Sequence, residues 1–152
     1  MTAPDLRFVF EIAAEVNAPL DLGQTQAGHR RVIPIAGGSV SGPRLQGRIL
    51  PGGADWQILR PDGAADLDAR YTIQTDDGAL VYAVSKGVRH GPPEVLARLN
   101  RGERVDPGSY YFRTAASFEA SAPAHIWLTR ALLVGIGERY PDKVVIRFWE
   151  LL

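Results

Sequence analysis

Residues 66–86, DLDARYTIQTDDGALVYAVSK, decide the fold. Leu67, Ala69, Tyr71 and Ile73 alternate with Asp66, Asp68, Arg70 and Thr72. A period of two places each set on its own face of a β-strand. Asp76-Asp77-Gly78 follows as a hairpin turn, because Gly accepts positive φ and Asp bonds its own backbone. Residues 79–86 then return as the partner strand. One apolar face and one charged face describe a sheet with a core on one side and water on the other.

The same pattern runs outward in both directions. Leu6, Phe8, Phe10, Ile12, Ala14 and Val16 share one face, with Arg7, Glu11, Glu15 and Asn17 largely on the other. Further strands are expected at residues 30–35, ending at Gly37-Gly38, and at 40–50, bent at Gly42-Pro43 and Gly47. Others are expected at 55–60, 110–114, 126–136 and 144–151. Pro92-Pro93 open one short helix over 94–100, with Val95, Leu96 and Leu99 at helical spacing and Gly102 after its end. Even strand spacing without helix–strand alternation predicts an all-β fold: a single antiparallel β-barrel of eight to nine strands with one short helix, spanning residues 1–152 as one domain. Long apolar first and last strands favour closure, which hides both edges.

Composition bounds the function. The chain has 152 residues, 45% hydrophobic and 22% charged, with seventeen basic residues against seventeen acidic ones. That balance argues against nucleic acid and against electrostatic attachment to a membrane. Cysteine is absent, which excludes thiol nucleophiles and thiolate metal sites and favours a reducing, cytoplasmic setting. Neither a signal peptide nor an apolar run of about 20 residues is visible. His29, His90 and His125 are too far apart for a local metal motif. No Gly-x-Ser-x-Gly elbow and no phosphate-cradling loop occurs. No metal and no cofactor is expected.

The turns and aromatic stretches occur in a recognisable order: Gly37-Gly38, Gly42-Pro43, Pro51-Gly52-Gly53-Ala54-Asp55-Trp56, Asp62-Gly63, Asp68-Ala69-Arg70-Tyr71, Asp76-Asp77-Gly78, Tyr110-Tyr111-Phe112-Arg113, Phe118-Glu119 and Trp127-Leu128. In this order the chain resembles the bacterial domain-of-unknown-function family 3237, from about Phe8 to Leu151. The resemblance implies a compact antiparallel β-barrel and assigns no mechanism. It marks Asp55, Arg70, Asp77, Arg113, Glu119, Trp56 and Trp127 without giving them roles. Family members often carry Asn after the Trp-Leu pair. This chain has Thr129 there, so a ligand read by that amide elsewhere would meet a hydroxyl here.

The residues themselves suggest one constellation at a barrel mouth. Asp55 is a candidate general base, with Arg70 and Arg113 as candidate catalytic cations able to grip a carboxylate or enolate. Trp56, Tyr71, Tyr82, Glu119, Trp127 and Thr129 are the candidate ligand-binding lining. Burial would raise the Asp55 pKa and a neighbouring Arg would lower it; a direct Asp55–Arg70 pair would be purely structural. Three functions stay open. One is a binder of a small anionic or carbonyl-bearing molecule. A second is a cofactor-independent isomerase, lyase or hydrolase using Asp55. A third is an interaction protein with a filled barrel. The helix offers either a solvated face or a lid, and Trp149 with Leu151-Leu152 offers either core or a homo-oligomer contact.

Overall fold

The computed structural model describes residues 1–152. The strands are β1 (Leu6–Val16), β2 (Leu20–Thr25), β3 (Gly28–Ser41), β4 (Gly47–Ile49), β5 (Gly53–Leu59), β6 (Ala65–Thr75), β7 (Leu80–His90), β8 (Tyr111–Ala120), β9 (Leu133–Arg139) and β10 (Lys143–Leu151). Helix α1 (Pro93–Asn100) lies between β7 and β8. All pairings are antiparallel, and β1 pairs with both β10 and β3, which closes the barrel. Ten strands fill eight wall positions. β4 and β5 share one position, both lying between β3 and β6, and β2 continues beyond β1 along β3. The expected antiparallel barrel is therefore the observed one.

Three local expectations change. Gly37-Gly38 does not end a strand: β3 runs through it to Ser41, so residues 40–50 are not one strand and only Gly47–Ile49 stands apart as β4. At Gly38 a Cβ would stand 2.2 Å from the Ala13 carbonyl oxygen, so the glycine marks a close approach of β3 to β1. The segment Leu20–Thr25 is a strand that alternation did not signal, because Leu20 and Leu22 both stay exposed. Residues 126–136 are not one strand. A 3-10 turn over Pro123–Thr129 comes first, and β9 begins only at Leu133.

Alternation sorts the barrel interior into two halves. One half is filled. Phe10, Phe118 and Phe148 meet with ring centroids 5.0–6.1 Å apart. Ile73, Val81, Leu133, Leu45 and Leu128 pack with them, all essentially fully buried. Aromatic contacts of this kind add to the area buried. The Pro123–Thr129 turn delivers Leu128 to this end, which is why the chain leaves strand geometry there.

The other half is lined by the C-terminal part of β1, the N-terminal parts of β3, β6, β8 and β10, and the ends of β5, β7 and β9. Helix α1 sits on this half, with Leu96 and Leu99 buried. Its proline start and the Gly102 turn at φ 78° limit it to eight residues. Phe112 forms part of the wall here, and only glycine at 137 makes room for it: a Cβ at that position would lie 2.5 Å from the ring. Gly137→Ala is expected to cost about 1–3 kcal/mol through overpacking. Urea denaturation checks this, and wild-type stability would contradict the tight Phe112 seat.

Candidate functional site

A cavity occupies the unfilled half. Its volume is about 50 Å³ to a water-sized sphere. One water needs roughly 10–15 Å³ on that measure, so the cavity is slim but not closed up. Most of its lining is apolar, supplied by residues such as Ile12, Ile33, Ile35, Leu67 and Ile146. Set into that lining is a group of polar side chains without partners in the protein. The Gln57 Oε1, Tyr71 hydroxyl, Ser85 Oγ, Thr114 Oγ1 and Arg89 Nε atoms are buried and make no hydrogen bond. Buried polar atoms are nearly always satisfied, so five orphans around one space point to that space.

Asp55 and Gln57 face inward on β5, two residues apart. Gln57 Nε2 donates to Asp55 Oδ2 at 2.9 Å, and the Asp68 backbone N–H donates to Asp55 Oδ1 at 2.8 Å. Asp55 lines the cavity and so keeps some accessible surface, yet protein surrounds it on nearly every side. Burial pushes its pKa up, against the two hydrogen bonds and the nearby Arg89 charge, which favour the carboxylate.

Three arginines converge on the same half. Arg31, Arg89 and Arg139 are 8%, 5% and 8% exposed. Arg31 donates to Asn100 Oδ1 at 3.2 Å, and Arg139 donates to the carbonyl oxygens of Tyr140 and Lys143. Arg89 donates to no protein group; its guanidinium carbon stands 5.8 Å from the centre of the Phe112 ring. Burial drives the Arg89 pKa down to about 10, with the Arg139 and Arg31 charges pushing the same way. It remains a cation at neutral pH. Burial likewise lowers Arg31 and Arg139. Three buried cations thus face one carboxylate, and none of them forms an ion pair with it.

The expected constellation is separated. Only Asp55 and Tyr71 of its members line the cavity. Trp56 points outward and is 39% exposed, as strand alternation requires of the neighbour of an inward Asp55. Arg70 also points outward and pairs with Asp68 at 3.3 Å, so the Asp55–Arg70 pair does not form. Arg113 is exposed beside the Tyr111 ring, donating to the Phe112 carbonyl at 2.9 Å. Tyr82 and Glu119 are register partners on the outer face of β7 and β8. Trp127 lies at the filled end beneath the Arg44 guanidinium, 3.7 Å away, and Thr129 Oγ1 caps its own turn by donating to the Ile126 carbonyl.

Sequence reasoning missed Gln57, Ser85, Arg89, Thr114, Arg31 and Arg139. The signal was available as phase. Arg89 continues the inward series Val81, Ala83, Ser85; Arg139 continues Leu133, Gly135, Gly137; Arg31 precedes Ile33 and Ile35.

Known proteins share this framework. The family described as "Protein of unknown function (DUF3237)" matches residues 4–151. A UPF0311 protein of Rhodopseudomonas palustris is 45% identical over 148 residues, covering 97% of each chain. A crystal structure of a conserved protein of unknown function from the same organism superposes with a TM-score of 0.95 at 43% identity, covering 100% of this chain and 99% of that one. The hydroalkoxylation enzyme phnH of Penicillium herquei is 32% identical over 150 residues, 99% of this chain and 85% of that protein. The chain belongs to the DUF3237 family. No helix in it is long and apolar enough to cross a membrane.

The raised Asp55 pKa has a consequence for stability. Between the ordinary Asp value of about 3.9 and the raised folded value, the native state holds more protons than the unfolded one, so stability falls as pH rises. Asp55→Asn removes that penalty and keeps an acceptor for the Asp68 N–H. Its melting temperature is expected to match wild type at acid pH, to exceed it increasingly as pH rises above the ordinary Asp value, and to keep a constant margin once pH passes the raised folded value. Thermal melts across that range check this; a variant that loses ground as pH rises would contradict it.

Proposed function

We propose that this member of the DUF3237 family binds a small molecule inside the barrel, with an apolar body and one anionic or carbonyl oxygen gripped by Arg89. One observation carries the reading: a guanidinium 5% exposed, facing a cavity, with no hydrogen-bond partner in the protein. An unpaired buried cation costs several kcal/mol, a cost an incoming oxygen anion offsets through charge-assisted hydrogen bonds. The slim cavity selects an unbranched body. Cytoplasmic residence belongs to the same proposal, on the sequence grounds given above.

A second reading, a cofactor-independent enzyme, is favoured by Asp55. A carboxyl group whose burial favours its protonated form, beside a bound oxygen, can serve as a general acid. The Penicillium relative's name supplies a matching class of reaction. Hydroalkoxylation adds an alcohol O–H across a carbon–carbon double bond: the oxygen bonds one carbon, the other gains a proton, and nothing is oxidised or reduced. Neutral Asp55 would give its proton to carbon and recover one from the hydroxyl. Arg89 would hold the oxygen as charge develops there.

Calorimetric titration with pentanoate and 2-pentanone tests the binding reading. Arg89→Gln is expected to weaken both by about tenfold or more while the fold is retained, since a charged hydrogen bond contributes roughly 1.5–3 kcal/mol. Unchanged affinity would sink it. For the enzyme reading, Asp55→Asn should keep the binding of these probes and lose turnover of an alkenyl alcohol or phenol. Equal turnover in the variant would remove Asp55 from the chemistry.

A further inference from the structure

Arg31 and Arg139 differ from Arg89 in position. Both line a second depression at the same end of the barrel, between the link from β1 to β2, the C-terminal end of α1 and the turn from β9 to β10. Val16 and Arg139 line this depression and the inner cavity alike. The depression, a mouth at this end of the barrel, therefore adjoins the cavity at those two residues, and two buried cations flank it.

Their hydrogen bonds leave capacity unused. A guanidinium has five N–H donors. Arg31 directs one to Asn100 Oδ1, and Arg139 uses only Nη1, on two backbone carbonyls. Nε and Nη2 of both groups donate to nothing in the protein. Neither has a carboxylate within 4 Å, although Asp142 borders the mouth. By contrast, Arg7, Arg44, Arg60, Arg70 and Arg147, all more exposed, are each paired with an acid. Acids thus attend several exposed arginines and none of the three buried ones, the reverse of what desolvation favours.

The geometry points to a second anion subsite at the mouth, where Arg31 and Arg139 hold a carboxylate of the same ligand whose other oxygen reaches Arg89. The inference rests on the cavity reading above and names its ligand class. The ligand is a two-ended acid: a carboxylate joined by a short, unbranched apolar chain to a second carboxylate or a carbonyl. The apolar middle lies against Ile33, Ile35, Val144 and Ile146, which line the cavity with Arg139 and Arg89. Asn100, at the end of α1, orients Arg31 and so ties the helix to the occupied mouth.

The test is a calorimetric titration of the full chain with 4-oxopentanoate and the dicarboxylates from succinate to adipate, against pentanoate and 2-pentanone. At least one two-ended probe is expected to bind about tenfold or more tightly than either one-ended probe, as one added charge-assisted contact allows. Arg31→Gln and Arg139→Gln should each abolish that advantage, and Arg31→Gln, whose side chain does not line the inner cavity, should leave 2-pentanone binding unchanged. In the ligand-free protein both variants should be at least as stable as wild type, because each removes a buried cation repelled by two others; a purely structural arginine would give a loss instead. Equal affinity of one- and two-ended probes for wild type, no binding of any two-ended probe, or loss of 2-pentanone along with the keto acid in Arg31→Gln would each overturn the subsite. If two-ended probes bind through Arg31 and Arg139 but Arg89→Gln changes nothing, the mouth subsite stands and the inner cavity reading fails.

Discussion

The structure turns on an imbalance of buried charge. Arg31, Arg89 and Arg139 sit at one end of a barrel with Asp55 as the acid among them, and the acid's own hydrogen bonds go to Gln57 and a backbone N–H. Desolvation of an ion costs several kcal/mol even after relaxation, and a partner normally offsets it. Here no arginine of the three has an acid within ion-pair distance, and Arg89 has no hydrogen-bond partner in the protein at all. An arrangement that costs stability and persists is the common mark of a binding or catalytic site.

The rest of the barrel makes that cost bearable. The opposite half is packed with Phe10, Phe118 and Phe148 and closed by Leu128. Outer acids pair with outer arginines: Glu150 accepts from both Arg7 and Arg44, and Glu11 from Arg147. Those exposed pairs contribute little individually, but they leave the surface arginines with acids that the interior ones lack. Net charge conceals this. Seventeen cations against seventeen anions is a sum over a cationic interior and a surface that carries the matching acidic excess.

How much of this the sequence discloses depends on which physical rule is applied. Alternation and evenly spaced turns point to an antiparallel all-β fold, and the long apolar first and last strands favour a barrel. Alternation also separates the site. Arg70 stands in the charged series with Asp66, Asp68 and Thr72, and so belongs outside. Trp56 and Arg113, next to inward Asp55 and Phe112, must also face out. Proximity in sequence to an aromatic or an acid suggested a constellation that strand geometry forbids. Arg89, Arg139 and Arg31 were legible as cations in phase with apolar neighbours, although an arginine at a strand end is ordinarily a solvated one. Closure of the barrel, which brings the ends of β3, β7 and β9 to one space, is the non-local fact a local pattern cannot supply. The strand β2 and the turn over Pro123–Thr129 were illegible for another reason: neither buries an alternating face.

The central claim is that Arg89 serves a ligand rather than the fold. The most direct measurement is the unfolding free energy of ligand-free Arg89→Met against wild type, by urea denaturation at neutral pH. Methionine fills similar space without charge. If Arg89 is an uncompensated cation awaiting an anion, the variant is as stable as wild type or more so, as found when buried ions give way to apolar side chains. A loss of about 3–5 kcal/mol, the usual cost of breaking a buried pair, would show that the protein already satisfies Arg89 and would contradict the account.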